Sequence, residues 1–438
     1  MSISAIGFLA VYAIGLFLTF RHPIYGLLTY LFEWHNHPPY MWWGDELPDL
    51  RWSMTIAAVT LISFLINRKK LHFDTKPVKG PIIWLLLIVL NSLTVTELFA
   101  ILPEESWLKV VEWTKIFVLF VLMAHLVSEY KEYRWIIWVF ILCVGNWGRI
   151  AYEVGSNRDL GFYAPNATEE NAISAHIVSI LPFFAIYFLK GSKWQKIIIG
   201  LLTPFVLNVL ILANSRASIL AMGVVALGIV FLLKGKTRFY AIIGLIIGGF
   251  IFLQLTNEDF WERQQKTTRV VKEEKKEIRY YIYRGAIKMF KDYPFGVGGE
   301  GFVHLSQTYI PESTKPRSQH NTFLAFLTDW GFLGLTFYLL FLFSVFRITF
   351  KIKRRAKEWP EIENFYYDAT ALQLALLSLC VAGMFHSRQY AEVVYWFGAL
   401  TLALDKIQRG LVAAFQSGVE KTVSSQDADE NTEGIEVA

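Results

Sequence analysis

The spacing of its apolar runs constrains this chain more than any other feature. Nine runs approach the roughly 20 residues that cross a hydrocarbon core: Ile3–Phe20, Pro81–Ile101, Trp107–Val127, Arg134–Tyr152, Ala172–Leu189, Lys196–Ala213, Ala217–Leu233, Phe239–Leu255 and Thr322–Phe346. Trp52–Asn67, Ala369–Met384 and Val393–Asp405 are shorter or more interrupted candidates, and Pro23–Phe32, too short to span alone, reads as a half-helix or an extension of the first span. The pattern predicts an all-α integral membrane bundle of about twelve transmembrane helices, thirteen if Pro23–Phe32 crosses. Only 18% of the 438 residues are charged, against roughly a quarter in soluble domains, which argues against a soluble enzyme. No nucleic-acid partner is expected. The first run lacks a basic start and a small-residue cleavage site, so it should remain as a helix. Cys143 and Cys380 both lie inside apolar runs, so neither a disulfide nor a zinc site is expected.

Short loops rich in Lys and Arg stay in the cytoplasm. Here these are Arg68–Lys79, Lys131–Arg134, Lys190–Lys196, Lys234–Arg238 and Arg347–Lys357. They alternate with acidic or aromatic loops, Glu33–Asp49, Leu102–Ser106 and Glu153–Asn171, which belong outside. A twelve-helix arrangement puts both chain ends in the cytoplasm. Residues 1–415 form the polytopic membrane domain, with a large extracytoplasmic loop at 256–320. Residues 416–438 are polar and acidic, and read as a disordered cytoplasmic tail. The loop Thr256–Gln319 holds twelve Lys/Arg against nine Asp/Glu. Its length exempts it from the charge rule, and its cationic character invites an anionic ligand.

Within this loop Glu277–Lys291 reads as a helix, with Ile278, Ile282, Ala286, Met289 and Phe290 at helical spacing and Pro294 ending the run. Arg284, Lys288 and Lys291 make one basic stripe, which faces water or headgroups unless it serves a site. Arg279 lies about 140° away, on the face of Tyr283 and Ala286. It is either a phosphate ligand or half of a structural ion pair. Gly296, Gly298 and Gly301 match G-x-G-x-x-G, but they follow a helix and a proline turn rather than a strand. They therefore read as a tight turn needing positive φ. Next comes Ser318-Gln-His-Asn321, with His320 at the membrane edge and Ser318 or Asn321 able to cap the following helix. Gly331 lies eleven residues on and Gly334 fourteen, so both glycines fall close to the face of His320 and let a neighbouring helix approach. Arg216, in Asn214-Ser-Arg-Ala-Ser218, belongs at the outer boundary, where it binds headgroups or serves the site. Arg216, Arg279 and His320 are thus expected at one surface. Glu112, Lys115, Arg149, His176, His386 and Arg388 lie in or near spans, mostly in their outer third, and Glu112 and Lys115 could pair at i, i+3. His35-Asn-His37 with Asp45 and Asp49 holds metal-ligand residue types, yet the aromatic surroundings read as an interfacial loop.

At these residues the sequence resembles the O-antigen ligase and polymerase superfamily of bacterial envelope glycan assembly. His320-Asn321, nine residues, then Gly331-Phe-Leu-Gly334 matches the ligase-type pattern H-[NSQ]-x9-G-x-x-G. Arg279, Tyr283, Ala286 and the run from Asp292 to Gly298 are similar to the stretch preceding that histidine, and Ser215-Arg216 to an earlier arginine. His22-Pro23, the Pro38-Pro39 loop and Trp42-Trp43-Gly44 are similar to exosortase-associated O-glycosylation ligases. The resemblance implies a metal-independent glycosyltransferase without cofactors, in the bacterial inner membrane with its active site facing the periplasm. Its donor would be an undecaprenyl-pyrophosphate-linked glycan, and its acceptor a hydroxyl on a glycan, lipid or protein. Arg216 and Arg279 would hold the pyrophosphate, and His320 would orient or deprotonate the acceptor hydroxyl or itself bind pyrophosphate. Arg284, Tyr283, Asn321 and Arg388 are the further substrate-binding candidates. A glycan polymerase using the same donor is the nearest alternative. A lipid-linked glycan flippase is another, although it predicts midplane charges and an internal repeat, neither of which is visible. A non-catalytic glycan-lipid scaffold is the third.

Overall fold

A computed structural model describes residues 1–67, 80–156, 158–256, 258, 260–262 and 272–433, so the basic loop 68–79 lies outside the described residues. Among them there is no β-strand, only isolated bridges. The helices are α1 (Ile3–Thr19), α2 (Pro23–His35), α3 (Trp52–Asn67), α4 (Pro81–Leu98), α5 (Pro103–Leu126), α6 (Tyr130–Val154), α7 (Glu170–Lys190) and α8 (Lys193–Ala213). There follow α9 (Arg216–Leu232), α10 (Gly235–Leu255), α11 (Lys272–Asp292), α12 (Gly301–Tyr309), α13 (Thr322–Asp329), α14 (Gly331–Glu358), α15 (Glu363–Gly383) and α16 (Glu392–Glu433). Local chemistry sets several starts. Proline opens α2, α4 and α5, where its missing N–H is no loss. Ser192 and Gln195 form a capping box on α8.

Among the described residues, seven helical segments are long and apolar enough to cross a membrane: α4, α6, α7, α8, α10, α14 and Pro360–Gly383, which ends in α15. Three more apolar helices, α1, α3 and α9, are shorter. The expected span at Trp107–Val127 begins inside α5 among Lys109, Glu112 and Lys115. That at Val393–Asp405 is the first part of the much longer α16. The chain is therefore a helical membrane protein by its apolar helices, while twelve crossings remain an expectation. The helical trace of α16 continues to Glu433 through the stretch expected to be a disordered tail, and residues 434–438 lie outside the described residues.

Two expectations change. Pro23–Phe32 is neither an extension of the first span nor a half-helix, because the chain turns at Phe20–His22 and α2 runs back beside α1. Ser2 N–H donates to Glu46 in the loop before α3, while Ser63 near the end of α3 donates to the carbonyl of Thr19. Thus α1 and α3 run parallel, with α2 returning between them. Ser2 therefore sits beside the loop that precedes α3. A run of ten apolar residues carries too little hydropathy signal to show this reversal.

The second change is the span Thr322–Phe346, which is two helices. Trp330 ends α13, and Gly331 opens α14 at φ +70° with the Phe295 backbone against its Cα. A β-carbon there would lie 2.3 Å from the Phe295 carbonyl carbon, so glycine is required for both conformation and space. Gly334 instead faces Trp330 and Asn91. Both glycines would lie beside His320 only on one straight helix, and the break at Trp330–Gly331 removes that arrangement.

Loops gather at the two ends of the bundle. At one end, Tyr163 N–H donates to the Tyr40 carbonyl, Arg158 N–H to Leu212 and Ile101 N–H to Val297. The segment before α13 joins the same face, and this end carries the candidate site. Part of the large loop has a small core of its own: Ile282, Ala286 and Met289 of α11 pack with Val297, Phe302 and Ile310, against Ile101 and Leu324. The predicted apolar stripe of α11 is the buried one, apart from Ile278 and Phe290, which are half-buried.

Candidate functional site

Two chain segments converge on the loop between α15 and α16. The carbonyl of Met384 accepts from Tyr283 Oη of α11 and from Asn321 Nδ2, each at 3.1 Å. Asn321 also caps α13, its Oδ1 accepting from Phe323 N and Leu324 N at 2.9 and 3.1 Å. Of the two expected caps, Asn321 rather than Ser318 does this work. Thr322 Oγ1 donates to the His386 carbonyl at 2.7 Å and accepts from Arg388 N at 3.0 Å. The start of α13 is therefore stitched to residues 384–388, and α11 is stitched to the same point. His320, one residue before the cap, has φ +46°. A residue with a side chain holds that left-handed conformation at some cost, and only where its surroundings fix it.

The Tyr-Pro-Phe-Gly-Val-Gly run supports this from beneath. Val297 N–H and Gly298 N–H donate to the carbonyls of Thr328 and Asp329, closing the end of α13. Gly296 and Gly298 have φ of +98° and +81°, as the turn reading requires, whereas Gly301 opens α12 and the left-handed residue there is Glu300.

Charge gathers around His320. Arg279 acts electrostatically on Arg216, His320 and His386. His320 is half-buried, and its pKa is lowered by burial and by Arg279 and Arg317, against a raising effect from Glu169. His386 is pushed down to about 4 by burial, Arg388, His320 and Arg279. Burial lowers Arg388 to about 10, with Glu169 opposing, which leaves it cationic at neutral pH. Its Nη1 is buried without a hydrogen-bond partner, as is His386 Nε2. Arg216 and Arg279 are exposed, with no ion pair to another described residue.

The structure thus brings Arg216, Arg279, His320 and Arg388 together, with Tyr283 and Asn321 holding the frame. Arg284 is exposed, with no ion pair among the described residues. Sequence reasoning missed Glu169 and Arg317, whose only signal was membership of the loops beside this face. It also paired the wrong charges on α5. Lys109, not Lys115, sits 3.7 Å from Glu112 and reaches Glu300 at 3.3 Å. Arg149 pairs with Glu153. His35 is the last residue of α2 rather than part of an interfacial loop. It is buried, with its Nε2 3.1 Å from His176 Nε2. Among the described residues no group of three or more His, Cys, Asp or Glu could hold a metal ion.

Residues 199–339 match the family model described as O-antigen ligase. This segment is of the O-antigen ligase family. It contains Arg216, Arg279 and His320, whereas Glu169, His386 and Arg388 come from outside it. No curated protein matches the chain significantly. The match over residues 199–339 and the apolar helices together point to a membrane enzyme of the ligase or polymerase type. Its substrates as a class are a lipid-linked glycan and an acceptor.

Proposed function

We propose that the chain transfers a glycan from an undecaprenyl-pyrophosphate carrier to an acceptor hydroxyl, at the outer face of the bacterial inner membrane. The carrying observation is that Arg216, Arg279 and Arg388, around a half-buried imidazole, form no ion pair with a carboxylate among the described residues. Guanidinium forks match phosphate oxygens and keep their charge beside hydrocarbon. Three of them left unpaired at one membrane face call for a polyanion. In the reaction, the bond between the anomeric carbon and the pyrophosphate oxygen breaks as one to the acceptor oxygen forms. The arginines stabilise the negative charge that grows on the leaving pyrophosphate. The lowered pKa of His320 keeps its ring neutral at physiological pH, so a ring nitrogen is free to take the acceptor proton. Transfer in this form needs no metal.

The test is an assay with purified protein, an undecaprenyl-pyrophosphate glycan and candidate acceptors, with and without chelator, beside His320→Ala. Product that resists chelator and disappears in His320→Ala is the expected result. Product size separates single ligation from polymerisation. Normal product from His320→Ala would remove the histidine from the chemistry, and lipid binding without product across acceptors would favour a flippase or scaffold.

A further inference from the structure

Beneath the site, the buried carboxylate of Asp329, the last residue of α13, receives a glutamine on each oxygen. Gln319 Nε2 donates to Oδ1 at 2.9 Å, and Gln389 Nε2 donates to Oδ2 at 3.3 Å. All three residues are buried, Asp329 at 4% exposure, Gln319 at 3% and Gln389 at 7%. Gln319 immediately precedes His320, and Gln389 immediately follows Arg388. Thr328 Oγ1 also receives Gln319 Nε2 at 2.9 Å, so the Gln319 amide is held at two points. One carboxylate therefore anchors the chain beside two members of the cationic cluster that come from distant parts of the sequence.

We propose that Asp329 is a positioning residue that sets the register of His320 against Arg388, an inference that rests on the transfer reading for its kinetic consequences. His320 stands in a left-handed conformation that its neighbours must enforce. The Gln319–Asp329 bond fixes the residue before it, and the Asn321 cap fixes the residue after it. On the other arm, Arg388 N is already tied to Thr322, and Gln389 adds a second anchor through Asp329. A buried carboxylate would be costly as mere filling. As an acceptor for two amide donors it satisfies a geometry that an apolar side chain cannot. Gln389 Oε1 is buried without a partner. In Asp329→Asn, turning the Gln389 amide lets that oxygen accept from the new amide nitrogen, while Gln319 keeps its own bond.

The two arms predict a crossed kinetic result on the full-length protein. Gln319→Leu frees the His320 arm, so kcat falls on the order of tenfold or more, with donor KM unchanged. Gln389→Leu frees the Arg388 arm, so donor KM rises roughly fivefold, as one lost hydrogen bond would give, with kcat kept. Asp329→Leu shows both effects, and Asp329→Asn stays near wild type. A merely structural role would lower the yield of folded protein and leave both constants of the folded fraction alone, which would overturn the inference. If Asp329→Leu does not fold, the two glutamine variants decide alone. A second readout needs no turnover: the rate of diethyl pyrocarbonate modification at His320, followed by mass spectrometry. We expect it to change several-fold in Gln319→Leu and to hold in Asp329→Asn. An unchanged rate in Gln319→Leu overturns the inference even where transfer is observed. A changed rate in a protein whose wild type makes no product supports it while sinking the transfer reading.

Discussion

The two ends of the bundle both carry basic residues, and they treat them differently. Away from the site, several cations packed against the bundle have partners, as do Lys109, Arg149 and Arg158 at the site end. Arg355 pairs with Asp405, which also takes Arg409 at 3.1 Å. Lys353 donates to Gln373 at 3.0 Å, and Lys190 lies 3.7 Å from Glu363 and over the Tyr367 ring. Lys406 donates to the carbonyls of Ala124 and His125. At the site end, Arg216 and Arg279 have no carboxylate partner among the described residues, and Arg388 keeps a buried nitrogen unpartnered. A charge near a bilayer that the fold itself neutralises serves the fold, and one left unneutralised waits for a ligand. The same residue type therefore does two jobs.

The sharpest way to break this contrast is to remove one charge from each end. Arg279→Ala should lower transfer on the order of a hundredfold or more. Its exposed side chain should leave thermal stability within about 0.5 kcal/mol. Asp405→Ala should do the reverse. It strands two arginines, with about 1–3 kcal/mol of stability lost, while transfer per folded molecule holds. Unfolding in detergent and the transfer assay, run on both variants, read the cross directly. If Arg279→Ala costs stability and not transfer, the unpaired arginines are structural and the contrast fails.

A smaller effect concerns protons. The pKa of His320 is lowered by burial first, then by Arg279 and Arg317, with Glu169 opposing. A lowered pKa keeps the ring neutral and able to accept a proton over the whole range above its ordinary value of 6.5. Transfer efficiency should therefore rise with pH through a limb below 6.5 and be flat above it. Arg317→Gln should move that limb up and Glu169→Gln should move it down. A limb above 6.5, or one that ignores both substitutions, would take His320 out of the base role.

What the sequence revealed follows from which interactions are local. Apolar periodicity alone located α4, α6, α7, α8 and α10, and the stripe of Ile282, Ala286 and Met289 located the packed face of α11. Arg216, Arg279 and His320 could be placed at one face because loop charge alternates along the chain. Hidden features depended on distant partners. The break at Trp330–Gly331 exists because the Phe295 backbone packs there, and nothing near residue 331 announces it. The direction of α1 depends on contacts with Glu46 and Ser63. Lys109 prefers Glu112 and Glu300 because the large loop brings Glu300 to it. The Asp329 hub joins residues whose spacing follows no helical or strand period.

The smallest expected effect sharpens the contrast by testing its edge. Arg284 lies on the same helix as Arg279 and is also exposed without an ion pair among the described residues, so lack of a partner alone does not separate them. Orientation does. Five residues along a helix turn a side chain by about 140°, and Arg279 alone of the two is felt by Arg216, His320 and His386. Arg284→Ala should therefore change transfer by no more than about twofold, the scale of an exposed, screened charge, with stability unaltered. A loss as large as that of Arg279→Ala would mean that the donor's anionic groups reach around α11. The site would then extend over its basic stripe, with Lys288 and Lys291 next to be tested.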